Sequence, residues 1–261
     1  MKNSTRIVTT LLLATLAHPS LAGAAEPTPA VDPIYLAPAA TLEASRIAEM
    51  QQRLLDWPQL GRYRAENMAL SPTAASERRV VFFGDSITEG WGPTGSTRFF
   101  PGKPYVNRGI SGQTTAQMLV RFRQDVLALK PAVVVILAGT NDIAGNTGPA
   151  TQAMIEDNLH SMAELARAHG IKVVLASVLP VSDYPWRSGT QPADKVRQLN
   201  AALRDYARRH ELVFLDYYTA MSNAEGGLDL ELAGDGVHPS PTGYALMAPL
   251  AEQAIARALE P

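Results

Sequence analysis

The chain has 261 residues, of which 46% are hydrophobic and 18% are charged, which is enough for one globular domain with a sizeable core plus short extensions. Its 23 basic and 25 acidic side chains give a formal net charge of -2, so no basic field favours nucleic acid as a partner. Because the sequence has no cysteine, disulfides are excluded and stability must come from packing.

The N-terminus has the layout of a secretory signal peptide. Lys2 and Arg6 precede an apolar run over residues 7–17, and small residues follow at positions 22, 24 and 25. The run is too short to span a bilayer, and a buried N-terminal helix explains the charges and small residues less well. We predict a signal peptide over residues 1–25, cleaved after Ala25 rather than Ala22, and export to the periplasm or the medium. No second apolar stretch could anchor the mature chain, whose net charge would be near -4.

Residues 26–75 are predicted to form an N-terminal linker and helical extension. The first part, to about residue 40, is rich in Pro and Ala and is expected to be extended. Thr41 can then cap a helix. Its apolar side chains recur at near-helical spacing: Leu42, Ile47, Met50, Leu54 and Leu55. We expect this amphipathic helix to pack on the domain, with a polar connector leading to the first strand.

Residues 76–261 alternate between apolar runs and segments of helical periodicity. The predicted strands are 80–83, 105–107, 133–138, 173–177 and 212–215. The predicted helices are 114–129, 151–169, 193–210 and 241–258. Alternation of this kind predicts parallel βαβ units, and continuously apolar strands predict helices on both faces. The expected fold is a doubly wound α/β/α sandwich of three layers, with its ligand site outside the carboxyl ends of the strands.

A serine follows the first predicted strand. Gly84, Asp85 and Ser86 form a tight turn that could expose the hydroxyl and aim backbone N–H groups at a developing anion. The pattern is not the G-x-S-x-G elbow, because Thr88 stands two residues after the serine. Helix capping by Asp85 or Ser86 is an equally good explanation of this turn when it is taken alone.

A loop before the last helix offers a base for the serine. Asp235 stands three residues before His238, close enough to accept the Nδ1 proton and leave Nε2 facing a serine. Ser240 and Pro241 predict the start of the following helix. A metal site at Asp235 and His238 is the alternative, but no further cluster of ligating residues supports it.

Two further strand ends carry hydrogen-bond donors. Gly109 follows the second strand, where the missing side chain would let its N–H approach a substrate oxygen. Asn141 follows the third strand, and its amide can donate to an oxyanion. Either residue alone is common in turns, so the prediction depends on their joint occurrence at successive strand ends.

Together these segments resemble a known family. The blocks GDSITEG, the isolated glycine of NRGISG, AGTNDI and DGVHP are similar, in order, to the four blocks of the SGNH (GDSL-like) hydrolases. The resemblance begins at residue 80, and nothing before about residue 75 takes part. The segments ITEGW and GISGQTT are most similar to the branch resembling platelet-activating-factor acetylhydrolase, which includes bacterial esterases of small acyl groups.

The resemblance implies a flavodoxin-like sheet of five parallel strands and a role for each matching residue. Ser86 corresponds to the nucleophile, and Asp235 and His238 correspond to the acid and base. The oxyanion hole would comprise the N–H groups of Ser86 and Gly109 and the side chain of Asn141.

Two carboxylates within the same blocks are assigned to turns. Asp85 and Asp142 match the family motifs, but a second carboxylate near the nucleophile would oppose the negative charge of the transition state. We therefore expect both to hydrogen-bond within their turns.

The predicted activity is that of a secreted serine esterase on short-chain, acetyl-type esters of small molecules or carbohydrates, with no metal or organic cofactor. Tyr184 and Trp186 lie on a loop after the fourth strand, where they could stack on sugars or could simply cover the core. A lysophospholipase or thioesterase of the same fold remains an alternative, as does a non-catalytic carbohydrate-binding module. The oligomeric state is not indicated by the sequence.

Overall fold

A parallel sheet of five strands lies at the centre of the protein, which we describe from a computed structural model covering residues 44–70, 78–92 and 98–260. The strands are β1 (Val80–Gly84), β2 (Tyr105–Gly109), β3 (Val133–Leu137), β4 (Lys172–Ala176) and β5 (Val213–Leu215). Their order across the sheet is β2-β1-β3-β4-β5, with every neighbouring pair parallel. The predicted fold class is thereby confirmed. The predicted signal peptide and linker lie outside the described residues.

Helices cover both faces of the sheet. The helices are α1 (Ala44–Leu55), α2 (Arg64–Ala69), α3 (Ser86–Glu89), α4 (Thr115–Asp125), α5 (Thr140–Ile143), α6 (Gln152–Ala168), α7 (Ala193–Arg209), α8 (Tyr217–Met221) and α9 (Pro241–Leu259). Phe83 of β1 shares one core with side chains of α4, α6 and α7. Its neighbour Phe82 points to the opposite core, which α9 closes. This alternation within an all-buried strand produces the three layers.

The register of the sheet aligns three strand ends. Gly84 at the end of β1 lies opposite Gly109 of β2 and Leu137 of β3. The residues after these strands therefore emerge at one edge, which is where the polar candidates were predicted to meet.

Several helix boundaries differ from the sequence prediction. The segment 114–129 is interrupted at Val126, whose φ and ψ of -128° and -65° end α4 before a separate 3-10 turn, Leu127–Leu129. Helices α3, α5 and α8 have four or five residues each, which is too short for an apolar period to reveal them. The start of α9 is as predicted, with Ser240 Oγ accepting from the N–H of Gly243.

The packing predicted for the N-terminal helix is wrong. Helix α1 forms, but its apolar side chains are between 40% and 78% exposed: Ile47, Met50, Leu54 and Leu55. No described part of the chain covers this face. Residues 41 and 42, the expected cap and first apolar position, lie outside the described residues. No helix within the described ranges is long and apolar enough to cross a membrane.

Residues 57–63, which follow α1, attach the N-terminal extension to the domain by hydrogen bonds. Three backbone carbonyls of this segment accept from glutamine amides on or next to α4: Gln117 to Trp57 (2.7 Å), Gln113 to Pro58 (2.9 Å) and Gln124 to Leu60 (2.6 Å). The side chain of Tyr63 is buried and donates from its hydroxyl to the carbonyl of Gly109. The predicted polar connector is thus packed beside the end of β2, and it includes the short helix α2.

Candidate active site

The serine predicted as a nucleophile lies at the carboxyl edge of the sheet. Strand β1 ends at Gly84, Asp85 caps α3 by accepting from the N–H of Ile87 (3.0 Å), and Ser86 is the first helical residue. Capping therefore belongs to Asp85 and leaves the hydroxyl of Ser86 free for another partner. Ser86 is half-buried, and its own N–H makes no hydrogen bond with another described residue.

The structure brings His238 and Asp235 to this serine. His238 Nε2 lies 2.9 Å from Ser86 Oγ, although the two residues are 152 positions apart in the chain. His238 Nδ1 lies 2.7 Å from Asp235 Oδ2. The three side chains form one continuous hydrogen-bonded chain in which an imidazole can accept the serine proton.

Asp235 is held as an anion by its own loop. Its Oδ1 accepts from the backbone N–H groups of Val237 (2.9 Å) and His238 (2.7 Å), and its Oδ2 faces the His238 ring. Burial opposes ionisation, but these hydrogen bonds outweigh it and lower the pKa of the Asp235 carboxyl. An ionised Asp235 fixes the imidazole with its proton on Nδ1 and stabilises the imidazolium that forms when Nε2 takes a proton.

The N–H of Gly109 is not available for the role predicted for it. It already donates to Asn107 Oδ1 at 2.9 Å, and Gly109 is buried. The position requires glycine for another reason, because a Cβ there would lie 2.1 Å from the backbone nitrogen of Glu89. Gly109 therefore permits β2 to approach α3 closely.

Gly112, three residues later, has the open N–H that Gly109 lacks. Its φ of +77° allows the turn that is closed by the hydrogen bond from Gln113 N to Ile110 O (3.3 Å). Gly112 is exposed, and its N–H makes no hydrogen bond with another described residue. The carbonyl of Gly112 lies 3.3 Å from Asn146 Nδ2, beside the other predicted donor. The same NRGISG segment contains both glycines, and the sequence offered no way to choose between their N–H groups.

Asn141 is buried in α5 at the same edge of the sheet. Its Nδ2 donates to the carbonyl of Gln113 (2.9 Å), and its Oδ1 accepts from Asn146 Nδ2 (2.8 Å). An amide nitrogen carries two protons, so one N–H of Asn141 remains for a ligand. Sequence reasoning missed Asn146; its place five residues after Asn141 in AGTNDIAGN was the available signal.

Of the two neighbouring carboxylates, Asp85 bonds within its turn as predicted, whereas Asp142 bonds to Thr115, 27 residues away at the start of α4. Asp142 accepts from the N–H and the hydroxyl of Thr115 at 2.6–3.1 Å, and burial raises its pKa to about 6. Burial raises the pKa of Asp85 to about 7, and its Oδ2 has no hydrogen-bond partner among the described residues. Asp85 is thus poorly solvated as an anion, which limits the negative charge beside Ser86 near neutral pH.

The two aromatic residues of the loop after β4 were predicted either to stack on sugars or to cover the core, and the structure places them differently. Tyr184 is fully buried and its hydroxyl lies 3.0 Å from Thr140 Oγ1, so it covers the core. Trp186 is 45% exposed, and its ring centroid lies 6.0 Å from that of His238. Of these two rings, it is therefore that of Trp186 that can offer a face to a ligand bound at Ser86.

The described residues form no metal site, and the cavity described next lies away from Ser86. Within the described ranges, no group of three or more His, Asp or Glu side chains is placed to hold a metal ion. A cavity of about 350 Å³ at the opposite edge of the sheet is lined by the ends of α6, α7 and α9 and by the starts of β4 and β5. None of the residues discussed above lines it.

Comparison with known proteins agrees with the fold and shows the family. Residues 82–246 match the model of the GDSL-like Lipase/Acylhydrolase family. The chain belongs to this family and is a carboxylic ester hydrolase.

Three similar proteins illustrate the match. A GDSL-like lipase from Bacteroides thetaiotaomicron is 45% identical, with a TM-score of 0.74 over 78% of this chain and 100% of that one. Esterase TesA of Pseudomonas aeruginosa is 30% identical over 66% of this chain and 85% of its own length. The uncharacterized lipoprotein YqeF of Bacillus subtilis is 30% identical over 61% of this chain and 80% of its own.

Proposed function

We propose that this chain is an exported serine esterase that hydrolyses short acyl esters, with acetyl as the preferred acyl group. The observation that carries the proposal is the hydrogen-bonded chain from Asp235 through His238 to Ser86, with contacts of 2.7 and 2.9 Å. A binding module needs no base aligned on a serine hydroxyl, so this chain favours catalysis over the non-catalytic alternative.

The reaction begins with attack of Ser86 Oγ on the ester carbonyl carbon while His238 Nε2 takes the hydroxyl proton. The carbonyl electron pair moves to oxygen and gives a tetrahedral oxyanion. When this collapses, the bond to the leaving alkoxide breaks, His238 returns the proton to it, and an acyl-Ser86 ester remains. Water then attacks this ester by the same route and releases the acid.

Three donors are proposed for the oxyanion: the N–H of Ser86, the N–H of Gly112 and the free N–H of the Asn141 amide. Gly112 replaces Gly109 because the N–H of Gly109 is taken by Asn107. Asn141→Ala should reduce kcat by roughly 100- to 1,000-fold, the usual cost of removing one such donor. Full kcat in this variant would show that its assigned role is wrong.

The proposed substrate is an acetylated carbohydrate. Trp186 offers an exposed ring next to His238, and aromatic faces of this kind stack on apolar faces of sugars. The sequence also lacks a long apolar lid segment, which makes a long-chain lipase less attractive. Export is supported by the charged and apolar leader and by a lipoprotein relative.

The test compares acetate release from acetylated xylan and from p-nitrophenyl acetate by the protein and by Ser86→Ala. Activity on both substrates that is lost in the variant would support the whole proposal. Activity on the small ester alone would retain the mechanism and remove the carbohydrate assignment. Faster hydrolysis of p-nitrophenyl decanoate or palmitoyl-coenzyme A than of acetate esters would favour the lysophospholipase or thioesterase alternative. No activity on any ester would favour a binding module.

A further inference from the structure

A relay of amide hydrogen bonds connects the exposed tryptophan to the proposed oxyanion donor. Trp186 Nε1 donates to Asn146 Oδ1 at 3.1 Å. Asn146 Nδ2 in turn donates to Asn141 Oδ1 at 2.8 Å. Neither contact is made to the serine or histidine, so the mechanism described above does not use them.

The chemistry of the two ends fixes the direction of every bond in this relay. An indole N–H can only donate, so Asn146 must turn its oxygen toward Trp186 and its nitrogen away from it. The nitrogen then faces two acceptors, the carbonyl of Gly112 at 3.3 Å and Asn141 Oδ1 at 2.8 Å.

Hydrogen bonds at both its oxygen and its nitrogen fix the orientation of the Asn141 side-chain amide. Its oxygen is held by Asn146, and its nitrogen donates to the carbonyl of Gln113 at 2.9 Å. A flipped Asn141 would place two oxygens against each other at Gln113 and two NH₂ groups against each other at Asn146. It would also present a lone pair, instead of an N–H, to a substrate oxyanion.

We propose that Asn146 is a positioning residue that, held by the Trp186 indole N–H, fixes the Asn141 amide with its free N–H directed at the oxyanion. This inference depends on the proposed role of Asn141. Asn146 does not touch the substrate and acts only through the orientation of Asn141. Trp186 therefore has a second role besides offering its ring, because its N–H sets the polarity of the relay.

The relay should affect kcat and leave KM nearly unchanged, since the oxyanion exists only in the transition state. Asn146→Ala leaves Gln113 as the remaining constraint, so a kcat loss of roughly 10- to 100-fold is expected, less than for loss of the donor itself. Asn146→Asp is the sharper variant, because a carboxylate attracts the NH₂ of Asn141 away from the substrate. Its kcat loss should approach that of Asn141→Ala. Trp186→Phe keeps an aromatic ring and removes the indole N–H, and about a fivefold loss is expected, as for one neutral hydrogen bond.

A double-mutant cycle on p-nitrophenyl acetate separates positioning from general structural damage. In the Asn141→Ala background, Asn146→Ala should have no further effect on kcat, because there is no amide left to orient. Full additivity of the two losses would overturn the proposal, as would a full kcat in Asn146→Ala. The neighbouring Thr147→Ala is the matched control, since Thr147 is exposed and bonds to Thr114 outside the relay.

Failure of the inference can be told from failure of the proposed function. If Ser86→Ala remains active, the proposed function is wrong. If Ser86→Ala and Asn141→Ala are both impaired but the relay variants are not, only the relay is wrong. Should Asn146→Ala fold poorly, Trp186→Phe alone decides: its surface position spares the core, and an unchanged kcat contradicts the relay.

Discussion

The buried carboxyl of Asp85 should make the free energy of unfolding fall as pH rises. Asp85 is 1% exposed, and burial is the largest cause of a pKa raised to about 7; attraction to His238 opposes the shift, while Asp142 adds to it. Because the folded pKa lies above the unfolded one, the folded state binds more protons between these values. The associated stability is fully present below the unfolded pKa and is lost as pH rises through about 7.

The size of the effect follows from the two pKa values. With 3.8 for the unfolded chain and about 7 for the fold, this single group makes the protein about 2.5 kcal/mol more stable at pH 5 than at pH 8. Asp85→Asn removes the titration and keeps an oxygen that can accept from the N–H of Ile87. The difference in unfolding free energy between variant and wild type should therefore shift in favour of the variant by about this amount from pH 5 to pH 8.

Urea denaturation at the two pH values measures this difference directly. Asp142 and other titrating groups are common to both proteins and cancel to first order. Asp157→Asn is a suitable control, because Asp157 is exposed on α6 and the substitution removes a carboxyl that is not buried. Parallel stability curves for wild type and Asp85→Asn between pH 5 and 8 would refute the reasoning, since they would mean that Asp85 is ionised in the fold at pH 5.

Three further substitutions test the supports of the site and core. Gly109→Ala would place a Cβ 2.1 Å from the backbone nitrogen of Glu89, so we expect a loss of about 3 kcal/mol or more in urea unfolding; an unchanged midpoint would contradict the close approach. Tyr63→Phe removes the donor to the Gly109 carbonyl, and calorimetry should show a loss of about 1 kcal/mol, with wild-type stability arguing against that bond. Leu159→Ala empties a fully buried position beneath the sheet and should cost about 3 kcal/mol, whereas the exposed Leu230→Ala should cost little.

Candidate active-site residues could be predicted from the sequence where the contacts that place them are between residues close together in the chain. Asp235 and His238 share one loop, and three residues of separation already allow the carboxylate to reach the ring. Ser86 follows a strand that is apolar at every position, and the end of such a strand is readable from residue types alone. Strands β1, β3, β4 and β5 were predicted for the same reason, since each contains a short apolar run, whereas β2 also carries the polar residues Asn107 and Arg108.

The predictions that failed depend on side-chain orientation and packing, which residue types and their spacing do not encode. Whether the N–H of Gly109 is open is decided by the rotamer of the Asn107 side chain, and no periodic pattern encodes a rotamer. The exposed face of α1 is similar: an amphipathic period predicts a helix but does not name the surface that covers it.

Sequence by itself therefore predicted the layered fold and placed Ser86, Asp235 and His238 in the candidate site, because apolar strand runs, helix capping and the Asp235–His238 spacing can be read from neighbouring residues. Only the tertiary structure decided how these residues meet. The register of β1, β2 and β3 aligns their ends, and that alignment together with the last loop places His238 2.9 Å from Ser86 across 152 residues. The polarity of the Asn141 amide likewise depends on Asn146 and on Trp186 from another loop, because an amide's orientation is set by the donors and acceptors that surround it.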